Sequence, residues 1–142
     1  MYKFVVIAVL MFFVSCEAEK QKDSAKKVSN TNNLTEISIE KPMHDFGQLT
    51  AGEIVLHTFI LHNTGKNNFI LAELVSDCGC ITAQAKQQVI KPGANTIVEV
   101  EFNTAGLAGK EYKTIEVHGN SKELKHLAIF AEVKNEFIDI KY

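Results

Sequence analysis

Two cysteines separated by one glycine, Cys78-Gly79-Cys80, are the residues of this chain best placed to do chemistry. They come directly after an apolar segment at residues 69–75, so we expect them on a loop or at the end of a strand. The pair could form a disulfide, because Gly79 permits a turn that brings the two Cα atoms within bridging range. A ring this small would be easily reduced, which is typical of redox-active bridges.

Two alternatives to a disulfide stay open for Cys78 and Cys80. As thiolates they could hold Cu(I), or occupy two corners of a Zn²⁺ tetrahedron with further ligands from His57 or His118. They could also be small side chains buried in a compact loop, since cysteine is among the most buried residue types. The motif is therefore compatible with a structural role, a metal site or thiol exchange.

The spacing of the histidines and acidic residues does not predict a catalytic site. His57 and His62 are five residues apart on one predicted strand, so their side chains point to opposite faces. His44 opens a His-Asp-Phe-Gly segment, in which Phe46 is expected to fill one end of the fold. The sequence has no nucleophile, base and acid at a catalytic spacing, and no phosphate or calcium loop. We therefore expect no enzymatic turnover and no cofactor, apart from the Cu or Zn alternative at the cysteine pair.

The segments that must position these residues have the pattern of β-strands. Branched and aromatic residues alternate with polar ones in six runs, and no window has a sustained helical period. The breaks are rich in glycine, proline and asparagine. In one of them, Pro92 and Gly93 suit the two corners of a turn whose second residue has a positive φ. The six predicted strands are residues 36–40, 54–62, 69–75, 96–102, 112–117 and 124–133.

Short strands with turns between them predict an all-β fold, an antiparallel β-sandwich of about seven strands. On one strand Val98, Val100 and Phe102 should face the core, while Glu99 and Glu101 face solvent. The sequence has three cysteines and no tryptophan, and no distant cysteine pair is available to bridge the two sheets. The core must therefore be mainly aliphatic and phenylalanine side chains.

The N-terminal residues predict export. Lys3 precedes an unbroken apolar run at residues 4–14, and Ser15 and Cys16 follow at once. This layout resembles a bacterial lipoprotein signal peptide at residues 1–15, after which Cys16 becomes the lipidated, palmitate-bearing N-terminus. The run is too short to span a bilayer, since a spanning helix needs about 20 residues.

A polar stretch separates the predicted lipid from the predicted domain. Residues 17–33 contain one branched apolar side chain, Val28, and charges of both signs, so they are expected to form a flexible tether. We divide the chain into a signal peptide (1–15), a lipidated cysteine with its tether (16–35) and a β-sandwich domain (36–142). Within the tether, Asp23-Ser24-Ala25 resembles a short O-glycosylation site of Bacteroidota, which makes Ser24 a candidate acceptor.

The charge of the chain argues against nucleic acid as a partner. The formal net charge is −2, and all 15 basic residues are lysine. Arginine, which is absent, is the preferred residue for binding phosphate and guanine through paired hydrogen bonds. The sequence also has no basic stripe of the kind that follows a nucleic-acid backbone.

Residues 38–133 contain a set of short motifs that is specific when taken together. The motifs are His44-Asp45-Phe46-Gly47, Gly52-Glu53, His57-Thr58-Phe59, Asn63-Thr64-Gly65, Ser76-Asp77-Cys78-Gly79-Cys80, Pro92-Gly93, Phe102-Asn103-Thr104 and Gly106. This set resembles a bacterial family called domain of unknown function 1573, which is similar to the immunoglobulin-like domains of the Hydin and ASPM group and, more distantly, to major sperm protein and PapD chaperone sandwiches. The resemblance implies an Ig-like sandwich on a secreted or lipid-anchored chain, and no established activity.

The sequence thus predicts a lipoprotein of the bacterial cell envelope, anchored in the outer membrane on its periplasmic side or at the surface. Its Ig-like domain is expected to bind or scaffold an envelope protein or polymer, through edge strands or through the end that carries Cys78 and Cys80. The alternative is a periplasmic Cu or Zn protein, or a thiol-redox protein, that uses the same two cysteines.

Overall fold

The computed structural model describes residues 33–135, and these residues form two β-sheets that pack face to face. Within them, no helix is long and apolar enough to cross a bilayer. The strands are β1 (Ile37–Ile39), β2 (Met43–Thr50), β3 (Ile54–Asn63), β4 (Phe69–Ser76), β5 (Ile81–Ala85), β6 (Val89–Ile90), β7 (Asn95–Asn103), β8 (Gly109–Gly119) and β9 (Lys125–Lys134).

The four-stranded sheet has the order β1-β3-β7-β5, and the five-stranded sheet has the order β2-β9-β8-β4-β6. Neighbouring strands are antiparallel, except that β2 runs parallel to β9. The predicted all-β sandwich is confirmed. The described residues contain nine strands instead of about seven, and the parallel pair is a departure from a wholly antiparallel arrangement.

The six runs with clear alternation all lie in strands, namely β1, β3, β4, β7, β8 and β9. On β7 the predicted inward residues Val98, Val100 and Phe102 are fully buried, and Glu99 and Glu101 between them are exposed. Alternation was a sufficient signal here because each strand has one face on the core and one in solvent.

Strands β2, β5 and β6 have no such signal in the sequence. In β2 the register with β9 shifts between Asp45 and Gln48, where Gly47 has a φ of +71° and donates its N–H to Asp45 Oδ1 at 2.7 Å. A charged residue and a glycine reduce β-propensity, so pairing with β9 rather than local preference holds β2 in the sheet. β5 contains two alanines, and β6 has only two residues.

The turn predicted after β6 is confirmed. Gly93 has a φ of +75°, and the N–H of Ala94 donates to Lys91 O at 3.0 Å, with Pro92 at the first corner. This turn connects β6 in one sheet to β7 in the other. The core between the sheets consists of the buried side chains of Ile37, Phe59, Leu61, Phe69, Leu71, Ile81, Ile90, Val98, Val100, Phe102, Ile115, Val117, Leu127, Ile129, Ala131 and Val133.

The polar side chain of Asn63, at the end of β3, is buried at one end of this core, with 1% of its surface exposed. Its Oδ1 accepts from Thr35 Oγ1 at 2.9 Å and from the N–H of Gly65 at 3.1 Å. Its Nδ2 donates to the carbonyl oxygens of Asn67 and Ile90, both at 2.8 Å. Both atoms of the amide group are thus satisfied, and the side chain connects three separate segments of the chain.

Thr35, which the sequence places at the end of the tether, is built into this network. It has 2% of its surface exposed. Its N–H donates to Asn120 O at 3.0 Å, and its carbonyl accepts from the N–H of Lys122 at 2.9 Å. The ordered domain therefore includes Thr35.

We predict that Asn63→Ala lowers the free energy of unfolding by about 3 kcal/mol, because it removes buried hydrogen bonds and leaves their partners unsatisfied. Asn68→Ala is the matched control, since Asn68 lies in the following loop and is exposed. Urea unfolding of both variants measures the difference. A loss below about 1 kcal/mol for Asn63→Ala would contradict the role given to this residue.

Candidate functional site

The Cys78-Gly79-Cys80 motif lies at the corner where the chain leaves the five-stranded sheet after β4 and enters the four-stranded sheet at β5. Asp77 holds the first side of this corner. Its carboxylate accepts from the N–H of Thr114 at 3.0 Å and from Thr114 Oγ1 at 2.9 Å, and its N–H donates to Thr114 O at 3.2 Å. β4 therefore ends beside the middle of β8.

The rest of the corner is held by short hydrogen bonds. The hydroxyl of Ser76 accepts from the N–H of Cys78 at 3.1 Å and donates to Cys78 O at 2.9 Å. That carbonyl also accepts from the N–H of Ile81 at 3.2 Å. On the far side, the N–H of Asn103 in β7 donates to Cys80 O at 2.9 Å. Both ends of the motif are thus anchored, one to each sheet.

Cys78 and Cys80 form a disulfide, with their Cα atoms 5.1 Å apart. Both residues are partly exposed, and Cys80 packs against the core. The N–H of Cys80 donates to Cys78 Sγ at 3.0 Å. A Cβ atom on Gly79 would meet nothing within 4 Å, and Gly79 is not among the glycines with positive φ, so the observed backbone does not require glycine here.

β8 extends beyond the point where β4 leaves the sheet. It has 11 residues, but β4 pairs only with its second half, from Ile115 onward. Within residues 33–135, no strand pairs with the side of residues 109–113 that is turned away from β9. We call this side the open edge of β8.

Among residues 33–135, the backbone groups of the open edge have no strand partner. The N–H and C=O of Thr114 point toward Asp77, on the side away from β9. Because successive residues of a strand direct these groups to alternate sides, Lys110 and Tyr112 direct theirs out of the open edge. Tyr112 also exposes 57% of its surface, which is high for an aromatic side chain.

Two charged side chains on β8 face the interior next to the open edge. Lys113 Nζ and Glu111 Oε2 are 2.7 Å apart, and their side chains are 20% and 15% exposed. Inward-pointing charges discourage nonspecific pairing at a sheet edge, because an apolar strand added there would remove them from water. The Glu111–Lys113 pair therefore disfavours indiscriminate aggregation through the open edge.

A second exposed surface lies on the outer face of the four-stranded sheet. Ile54, Leu56 and Ile60 of β3 are 59%, 60% and 41% exposed, and Thr58 lies among them. Exposed aliphatic residues in a row can mark a contact surface, although single exposed residues of this kind are common. This face is the alternative to the open edge as a place for a partner.

Two histidines stack between the sheets at the side opposite the cysteine corner. The rings of His44 in β2 and His57 in β3 are 3.6 Å apart between centroids and 7° from parallel. The ring of Phe46 meets His44 edge-on at 4.5 Å, and that of Phe59 meets His57 at 4.6 Å. Burial and the neighbouring His44 lower the pKa of His57 from its ordinary value of 6.5.

The residues suggested as metal ligands are not brought together. His57 belongs to the four-stranded sheet, whereas His118 belongs to the five-stranded sheet and contacts Glu116 Oε2 through Nε2 at 2.7 Å. In the described part of the chain, no group of three or more His, Cys, Asp or Glu side chains could hold a metal ion. Neither histidine therefore joins Cys78 and Cys80 in such a group.

The predicted modification sites Cys16 and Ser24 lie outside residues 33–135, so lipidation and glycosylation stay predictions. Among the features that the structure does describe, the open edge of β8 was not recognised from the sequence. The alternation at residues 112–117 identified the strand but not its start at Gly109, nor where its neighbour ends.

The two packed sheets define an immunoglobulin-like β-sandwich domain. Residues 37–133 match the model of the family described as "Protein of unknown function (DUF1573)". The match covers well over half of the chain, so the protein belongs to this family. No curated protein matches the sequence.

Solved structures agree with this fold. A protein of unknown function from Porphyromonas gingivalis W83 superimposes with a TM-score of 0.62 at 20% identity, over 70% of this chain and 47% of that one. The VesB protease of Vibrio cholerae gives 0.58 at 13% identity, over 68% of this chain and 32% of that one. The ASH/PapD-like domain 7 of human CEP192 gives 0.54 at 11% identity, over 72% and 88%.

The chain thus spans less than half of the Porphyromonas protein and about a third of VesB. At these identities the likeness shows the fold alone. A domain of this fold is compatible with a binding module, and none of these matches assigns it an activity.

We predict that the domain loses stability in mild acid through His57. Its pKa is lower in the folded protein than the ordinary 6.5, so the unfolded chain binds more protons below that pH. The stabilising contribution is complete above pH 6.5 and decreases as the pH falls toward the folded pKa. Urea unfolding at several pH values should show a smaller decrease for His57→Phe than for the parent protein.

The matched control for this prediction is His126→Phe, because His126 is exposed on the surface of β9. This control should retain the acid sensitivity of the parent protein. An equal decrease for the parent and His57→Phe would contradict the assignment to His57.

Proposed function

We propose that this protein is an envelope lipoprotein whose Ig-like domain binds an extended segment of a protein partner along the open edge of β8. The open edge carries the proposal, because two residues there, Lys110 and Tyr112, offer backbone donors and acceptors that a strand can pair with. Adding a strand to a sheet edge is a general mode of peptide recognition, with affinity from the main chain and specificity from side chains.

The side chains around the open edge support a partner of particular chemistry. Tyr112 offers a rigid, exposed aromatic surface of the kind that anchors protein interfaces. On the inner side, the Glu111–Lys113 ion pair favours polar groups on the incoming segment, because apolar ones would desolvate the pair without compensation. The favoured partner is therefore an extended segment that alternates apolar residues outward with polar residues inward.

The anchoring part of the proposal rests on the N-terminal sequence. Cys16 follows a basic residue and an apolar run, and residues 17–33 are polar. A flexible tether of this length has an average span of some tens of Å. It would hold the domain close to the outer membrane and let it search the neighbouring envelope for its partner, without catalytic turnover.

We predict that Cys16→Ser abolishes incorporation of labelled palmitate in a bacterial host and releases the domain from the membrane fraction. The reason is that the proposed lipid is attached to the thiol of Cys16, which serine lacks. Cys78→Ser is the matched control and should retain both label and membrane association. Palmitate incorporation that persists in Cys16→Ser would contradict the lipoprotein assignment.

We predict that a photo-crosslinking amino acid in place of Lys110 gives one discrete adduct in the native envelope, because it stands on the open edge. The same crosslinker in place of Thr58, on the outer face of the four-stranded sheet, is the matched control and should give none. Adducts at position 58 and none at position 110 would move the binding surface to that face.

Backbone pairing itself can be tested in the same crosslinking experiment. Tyr112→Pro removes an N–H from the open edge without removing a bond to β9, so the adduct at position 110 should be lost. Tyr112→Phe keeps both the ring and the N–H, and should keep the adduct. An adduct that survives Tyr112→Pro would show that contact at the edge does not depend on strand addition.

A further inference from the structure

The Cys78–Cys80 disulfide contributes little to holding the fold together. It joins residues only two positions apart, so it closes a ring of three residues and restricts the unfolded chain very little. The two ends of the corner are already held by other bonds, at Asp77 to Thr114 on one sheet and at Cys80 O to Asn103 on the other. Because the disulfide adds little stability, a role in holding the fold together does not explain its presence.

The surroundings of the disulfide distinguish its two sulfur atoms. The N–H of Cys80 donates to Cys78 Sγ at 3.0 Å, so a negative charge on that sulfur would be stabilised when the bond opens. Cys78 is the better leaving thiolate, and Cys80 is the sulfur that an incoming thiolate would attack. Both residues are partly exposed, so the bond can be reached from solvent.

We propose that the Cys78–Cys80 disulfide is an exchangeable bond that oxidises a dithiol of a partner protein. This activity goes beyond the binding role and does not depend on it. The bond fits such a role because the hydrogen bond to Cys78 stabilises the reduced form and the small ring gives little stability to the oxidised form, and both effects favour accepting electrons.

The exchange proceeds in two displacements. A thiolate of the partner attacks Cys80 Sγ, the disulfide breaks, and its electron pair leaves on Cys78 Sγ, which gives a mixed disulfide between the partner and Cys80. The second thiol of the partner, once deprotonated, attacks the partner sulfur of this mixed disulfide and releases Cys80 as a thiolate. The partner dithiol loses two electrons and two protons to become a disulfide, and the two cysteines gain them.

The first test measures how readily the bond is reduced, on the full chain carrying Cys16→Ser so that Cys78 and Cys80 are its only cysteines. The oxidised protein is equilibrated with reduced and oxidised glutathione at the ratio found in cytosol, then alkylated and weighed by intact mass. We expect most of the protein to be reduced, whereas structural disulfides of secreted proteins resist this mixture. A protein that stays oxidised in glutathione would overturn the proposal.

The second test compares the two sulfurs in matched variants. In Cys80→Ser the remaining Cys78 keeps the N–H of residue 80 as its donor, whereas in Cys78→Ser the remaining Cys80 has no equivalent donor among residues 33–135. Iodoacetamide should alkylate Cys78 about tenfold faster than Cys80 near neutral pH, because more of it is thiolate. Equal rates would overturn the assignment of Cys78 as the leaving group.

Two further readouts separate exchange from the other roles of a cysteine pair. The double variant Cys78→Ser, Cys80→Ser should unfold at the same urea midpoint as the oxidised parent. A large decrease in the midpoint would identify a structural disulfide instead.

The reduced parent should be reoxidised by a small-molecule disulfide even when Zn²⁺ or Cu⁺ is present. A metal that binds the reduced pair and blocks this reoxidation would overturn the proposal in favour of a metal site.

Discussion

The hydrogen bonds between Asp77 and Thr114 are the constraint on which the arrangement of this domain depends. They end β4 beside the middle of β8. The carboxylate and the N–H of Asp77 bond to the backbone and the hydroxyl of Thr114, which a longer β4 would otherwise approach. Two consequences follow from this one corner. Among the described strands, the first half of β8 has β9 on one side and no neighbour on the other, and the chain must turn sharply enough to bring Cys78 and Cys80 into bonding range.

The strands of the sandwich could be predicted in part from the sequence. Alternation identified six strands and their inward residues, because each of these strands has one buried face, as on β7 with Val98, Val100 and Phe102. β2 could not be predicted, since Asp45 and Gly47 oppose a strand locally and only pairing with β9 stabilises it. The open edge could not be predicted either. It depends on where β4 stops relative to β8, which is set by a side-chain contact between residues 37 positions apart.

The contacts that hold the two sheets together lie apart from the cysteine corner and the open edge of β8. At one end of the sandwich, the buried amide of Asn63 joins Thr35, Gly65 and Ile90. At one side, the His44 and His57 rings stack across the two sheets. The cysteine corner adjoins the open edge, because Asp77 bonds to Thr114, the residue that follows this edge on β8.

Hydrogen exchange of single amides along β8 in the isolated protein tests the central claim most directly. If β8 has an open edge, the amides of Lys110 and Tyr112 should exchange fast, and those of Glu111 and Lys113, which point toward β9, should be protected. The alternation needs no partner and no substitution to be observed. Uniform protection from residue 110 to residue 113 would contradict the account, because it would mean that the edge is already covered.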